Sequence, residues 1–171
     1  MIVESMEIGL AVERRELSGP WGGHVWRPIA IFVSAPAVAP STPLGSGKDF
    51  VRYYAGSFPI HLFSTETANY RDNLTSGTPK LWVIMRDDGT EPLIKVALVT
   101  ADPAEGEAST EAGNNIVETI AMPPELVAAV AAFVEAHHIE RAIIKRQRDG
   151  KPPTERWRNG GPAKNKPDDH K

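Results

Sequence analysis

Apolar residues recur at every second position from Met6 to Val12, where Met6, Ile8, Leu10 and Val12 alternate with Glu7, Gly9, Ala11 and Glu13. A period of two places one set of side chains on one face of a pleated strand, so this segment is expected to be a strand ending near Arg14-Arg15-Glu16. The Pro/Gly-rich stretch Ser18 to Gly23 predicts a loop, and Trp26 to Val33 a second strand. Phe50 to Tyr54 and Phe58 to Phe63 flank Ala55-Gly56-Ser57, which predicts a hairpin with Pro59 at an edge or bulge. Leu81 to Met85 and Leu93 to Thr100 flank Asp87-Asp88-Gly89-Thr90, whose Asp-Gly is a hairpin signal, and Ile116 to Ile120 reads as a short strand. Ala35 to Lys48, with three prolines and two glycines, predicts an irregular loop, and Asp102 to Asn115 a polar, acidic one.

Helical spacing is clear in one place. Leu126, Val130, Phe133, Val134 and His137 fall on one stripe after Pro123-Pro124, where a proline suits the first turn and Glu125 complements the positive end of the helix dipole. Thr65 to Leu74 opens with cap-forming residues and predicts a short helical turn closed by Gly77. Ile139 to Ile144 is apolar enough to return to the sheet, which carries the expected order to about Lys145. The fold class that follows is α+β and mostly β: an antiparallel sheet or partly open barrel of about six or seven strands built from hairpins, with one C-terminal amphipathic helix at about 124–138 packed on it. Residues 1–145 are expected to form a single globular domain, and 146–171, where Trp157 is the only large apolar residue, a disordered basic tail.

Composition narrows the functional classes. The 171 residues are 41% hydrophobic and 24% charged, ordinary values for a globular chain, and no apolar run approaches the ~18–20 residues of a membrane span. Acidic Glu4 and Glu7 stand where a signal peptide carries positive charge, so a cytoplasmic protein is expected. The lack of cysteine excludes disulfides, thiolate catalysis and cysteine-ligated metals. The net charge of −3 conceals an asymmetry, because residues from Arg141 onward carry +6 and those before it −9.

Several catalytic patterns fail on inspection. Gly45-Ser46-Gly47-Lys48 has the end of a phosphate-binding loop, but Thr42 replaces the first glycine and Asp49 replaces the magnesium-binding hydroxyl. His24, His61, His137 and His138 lack a metal-ligand spacing, and adjacent histidines on a helix diverge by about 100°. No nucleophile elbow and no dinucleotide-binding glycine signature occurs. No catalytic residue, metal ligand or cofactor is therefore expected.

The densest unusual cluster is Glu13 to Glu16 followed by Pro20 to Pro28. Arg14, Arg15, Trp21, His24, Trp26 and Arg27 are residue types that dominate binding hot spots and form a candidate partner surface. The plainer alternative packs Trp26 in the core and pairs Arg27 with a carboxylate across strands. Lys145 and Arg146 open the basic tail, for which a protein partner fits better than nucleic acid, since a duplex would repel the acidic body.

An ordered series of motifs adds a family. Val12-Glu-Arg-Arg-Glu-Leu, the Pro-Trp and His-x-Trp-Arg-Pro elements at 20–28, Tyr70-Arg-Asp-Asn-Leu, Ile116-Val-Glu with Met122-Pro, and Phe133-Val-Glu-Ala-His-His with Ile144-Lys-Arg resemble the bacterial domain of unknown function 3305 family over about residues 7–150. The resemblance adds Tyr70 and Arg71 to the candidate surface. Members are typically encoded near molybdenum-dependent formate dehydrogenases, which implies a non-catalytic accessory or adaptor for assembly or maturation of such an enzyme, with a dehydrogenase subunit as partner. Some members bear the label of molybdopterin-guanine dinucleotide synthesis proteins, which implies the alternative of an enzyme or nucleotide-handling protein of that cofactor pathway. A third option is an unrelated peptide-binding β-module. Asp102 to Gly113 departs from the family pattern, with Ala-Glu-Gly-Glu-Ala-Ser-Thr where an acidic segment containing an aromatic residue is usual.

Overall fold

The computed structural model describes residues 1–89, 94–111 and 113–139. The expected return of 139–144 to the sheet, the basic tail, and Lys145 and Arg146 lie outside the described residues, apart from Ile139 itself. Strands β1 (Val3–Glu16), β2 (His24–Phe32), β3 (Thr42–Ser46) and β4 (Phe50–Phe63) form one antiparallel sheet in the order β2-β1-β4-β3. Strands β5 (Lys80–Arg86), β6 (Lys95–Thr100) and β7 (Asn115–Ala121) form a second, in the order β6-β5-β7. Helix α1 (Thr67–Thr75) follows β4, α2 (Pro103–Ala108) follows β6, and α3 (Pro124–His137) follows β7.

The alternation read from β1 decides where the core lies. Ile8, Leu10 and Val12 are fully buried and share one cluster with Ile60 and Leu62 of β4, Leu81, Val83 and Met85 of β5, and Leu126, Val130 and Phe133 of α3. Both sheets thus bury their inner faces in one apolar core, and among the described residues no ladder closes them into a barrel. The helical stripe of α3 packs as its spacing predicts, and Gly77 at φ 84° follows α1 as expected of a helix end. No described helix is long and apolar enough to cross a membrane.

Three expectations are corrected. Phe50 to Phe63 is one strand and not a hairpin, because Gly56 sits in a bulge: Leu10 pairs with Gly56 and Ala11 with Tyr54, leaving Ala55 over. Pro59 does lie where β4 pairs on one side only, since β3 reaches no further than Tyr54. The Pro/Gly segment before residue 48 is not all loop, for Thr42–Ser46 pairs with β4 as an edge strand that tolerates Pro43. The acidic loop holds α2, whose start follows from Asp102-Pro103: the Asp102 carboxylate accepts the Ala104 and Glu105 amides, and proline takes the first turn. There are accordingly three α-helices among the described residues: α1 where the short helical turn was expected, α3 where the amphipathic helix was, and α2 in addition.

Candidate functional site

Strand register sorts the predicted surface residues onto different faces and ends of the sheet. Arg14 and Trp26 are direct partners across β1 and β2, and so point the same way, toward the core. Trp26 is buried, with its ring near those of His24 and Tyr53. Arg14 lies at the rim: one terminal nitrogen contacts Glu16 at 3.2 Å, the other donates to His24 Nδ1 at 3.3 Å, and its buried Nε has no partner among the described residues. With Nδ1 accepting, the proton of a neutral His24 sits on Nε2, which contacts Asp87 at 3.2 Å. Arg14 and His24 therefore tie the β1–β2 hairpin of one sheet to the end of β5 in the other.

The opposite face of β1 carries a second cluster. Glu13 stands between Arg27 of β2 and Arg52 of β4 in register, and Arg15 follows on the same face. The Glu13 carboxylate accepts from Arg15 Nε at 3.0 Å and from Arg52 Nε at 2.9 Å. Burial pushes this carboxyl up, but the hydrogen bonds from Arg52 and Arg15, and then their charges, outweigh it and hold the group below the ordinary carboxylate value. Both guanidinium groups lie over the Phe50 ring, at 5.1 Å for Arg15 and 4.7 Å for Arg52. That ring rests on Gly47, where a Cβ would clash with it. The glycine that suggested a phosphate loop belongs instead to the β3–β4 turn, closed by the Gly47 amide donating to the Phe50 carbonyl at 2.9 Å.

Trp21 is 96% exposed on the β1–β2 loop. The loop is closed by the Leu17 amide donating to the Gly23 carbonyl at 2.9 Å, and Gly22 and Gly23 take the positive φ that a tight reversal needs. Trp21 thus stands at the same end of the sheet as Arg15. Arg27 is exposed; it faces Glu13 as the cross-strand alternative expected, but that carboxylate contacts Arg15 and Arg52 instead.

Tyr70 and Arg71 lie elsewhere. They sit on α1, beyond the Val3–Phe63 end of the β1–β4 pair, whereas Arg15 pairs with Phe50 a dozen residues away, about 40 Å of strand. Tyr70 is a core residue: its hydroxyl accepts the Phe63 amide at 3.1 Å, its ring meets Phe133 edge-on, and burial, with Asp102 and Glu105 nearby, raises its phenol. Arg71 contacts His138, whose other ring nitrogen meets the Thr67 hydroxyl, joining α1 to the end of α3. Asn73 of the same motif is buried and makes three bonds, donating to the Lys80 and Ala101 carbonyls and accepting the Lys80 amide.

The exposed end therefore unites Trp21, Arg15 and Arg27 with Arg52 and Phe50, which sequence reading did not single out. Their signal was the cross-strand register, visible only after β4 is read as one strand. No three His, Asp or Glu side chains among the described residues converge as metal ligands. A family model described as a protein of unknown function (DUF3305) matches residues 7–148. No curated protein and no solved structure matches.

Proposed function

We propose, from the premise that the chain belongs to the DUF3305 family, that it is a non-catalytic accessory protein which binds a protein partner through the Trp21–Arg15 end of its larger sheet, the partner being a subunit of a molybdenum-dependent formate dehydrogenase. The observation that carries the binding part is the indole of Trp21, 96% exposed on a closed loop at the end of the sheet that carries Arg15. A large aromatic ring held in water is unfavourable until covered, and Trp with Arg is the pair most often found at the energetic centre of interfaces. The dehydrogenase as partner is supported by the family resemblance that the ordered motifs carry. The setting of the Gly45 to Lys48 segment in an antiparallel hairpin favours this reading over nucleotide handling, which relies on a strand-to-helix loop.

Two measurements test it. Tagged full-length chain is expected to co-purify with dehydrogenase subunits, and Trp21→Ala to lose them, while a deletion strain loses formate dehydrogenase activity. Normal activity with no subunit recovered refutes the reading. Thermal stability is then measured with molybdopterin precursors and GTP: a ligand at a hundred times its dissociation constant adds about 2.7 kcal/mol, and such a shift would favour the cofactor-pathway alternative.

A further inference from the structure

We infer that the outward face of the larger sheet, around Arg15, Arg27 and Arg52, is a docking surface for an acidic polypeptide segment whose carboxylates seat on the three guanidinium groups. This rests on the reading that the chain acts by binding a protein, and adds the chemistry of what it binds.

The face is divided. At one end Tyr54 is buried, and the proline-rich segment after β2 covers it: Pro36 lies beside Gly9 and Tyr54, and the Tyr54 carbonyl accepts the Ser41 amide. At the other end the side chains of Arg15 and Arg52 remain 43% and 46% exposed, and Arg27 is exposed. Three positive charges there meet one carboxylate, that of Glu13, on a chain whose first 140 residues carry −9. The patch is opposite in sign to the body around it.

It is also ordered in advance. Glu13 fixes Arg15 through Nε and Nη2, and Arg52 through Nε, while the Phe50 ring supports both from beneath. Holding a long side chain in one geometry normally costs rotamer entropy on binding, and here much of that loss precedes binding. Among the described residues no acceptor takes the terminal nitrogens of Arg52, and no carboxylate contacts Arg27.

Spacing identifies the occupant. Arg27 and Arg52 flank β1 on neighbouring strands, two strand spacings or about 10 Å apart at the backbone, and the Glu13 carboxylate already occupies the place between them where a single small anion would sit. A row of carboxylates along a peptide matches that separation and pairs well with guanidinium forks. A nucleic-acid duplex, wider than the patch, would extend over the acidic body and be repelled.

The test uses the full chain and a labelled ten-residue peptide of alternating Glu and Ser, with a Gln-for-Glu peptide and a single-stranded oligonucleotide of equal charge as comparisons, read by fluorescence anisotropy. The acidic peptide should bind at least tenfold more tightly than either, weaken as salt is raised, and lose tenfold or more with Arg27→Glu. Lys95→Glu makes the same charge change on the exposed surface of the other sheet and should bind as wild type; thermal melts confirm that both variants fold. Equal binding by wild type and Arg27→Glu, equal loss with Lys95→Glu, or tighter binding of the Gln peptide or the oligonucleotide overturns the inference. No dehydrogenase is present, so the two proposals fail separately: peptide binding without co-purification removes the accessory reading alone, and co-purification without peptide binding removes this one.

Discussion

The two ends of β1 hold motifs of comparable distinctiveness in the sequence and use them in opposite ways. At the Val3 end, the Tyr70 to Leu74 motif turns inward: Tyr70 fills the core and Asn73 clamps α1 to the start of β5 and the end of β6. At the Arg15 end, Arg15, Arg27, Arg52 and Trp21 face water, and the buried Glu13 carboxylate positions Arg15 and Arg52. A polar residue in a distinctive motif can thus mark a hydrogen-bond clamp as readily as a surface. What separates the two cases is whether the partners of the side chain are backbone groups of the same fold, which leave nothing to offer a second molecule.

The contrast sets the scale of what substitutions should do. Asn73→Ala removes three bonds and takes that partner from the Lys80 amide and carbonyl and from the buried Ala101 carbonyl, so a loss of about 3 kcal/mol is expected in urea denaturation. Partner binding by the folded fraction should be unchanged; a shift under 1 kcal/mol would mean that the clamp is not what holds α1. Glu13→Gln comes next, with about 1–3 kcal/mol lost at pH 7, because two guanidinium groups stay close together without their counter-charge. The carboxyl is held below its ordinary value of 4.5 in the folded chain, so its contribution is present above that value and disappears as pH falls through the lowered one. Melting curves of wild type and Glu13→Gln should therefore converge in acid, and a gap that persists unchanged there would show that charge is not the cause. The smallest effect on stability belongs to Trp21→Ala, expected within about 0.5 kcal/mol of wild type by thermal melting, since the indole touches little. A larger loss would make Trp21 part of the fold and end its comparison with Asn73.

Legibility follows the range of the interactions. β1, the β5–β6 pair, β7 and α3 were readable because alternation or helical spacing is written within each segment. β3 was not, since an edge strand with Pro43 and Gly45 has no pattern of its own and exists through pairing with β4. Gly56 predicts a turn and forms a bulge, for a glycine permits either and only the partner strand chooses. In α2 the signal was present, an Asp-Pro start, and the acidic composition masked it. Of the candidate site, Trp21 and the arginines of β1 and β2 were visible as residue types, while Arg52 and Phe50 were hidden by the broken reading of β4.

By itself the sequence determined which faces of β1 and α3 are apolar, that cysteine chemistry is excluded, and which family the chain belongs to, all properties carried by neighbours in the chain. Tertiary structure alone decided that Arg52 meets Glu13 across 39 residues, that Trp26 and Tyr70 are buried, and that Trp21 is left in water. The reason is that register and burial are set by contacts between distant strands, and identical residue types serve as core, clamp or surface according to what packs against them.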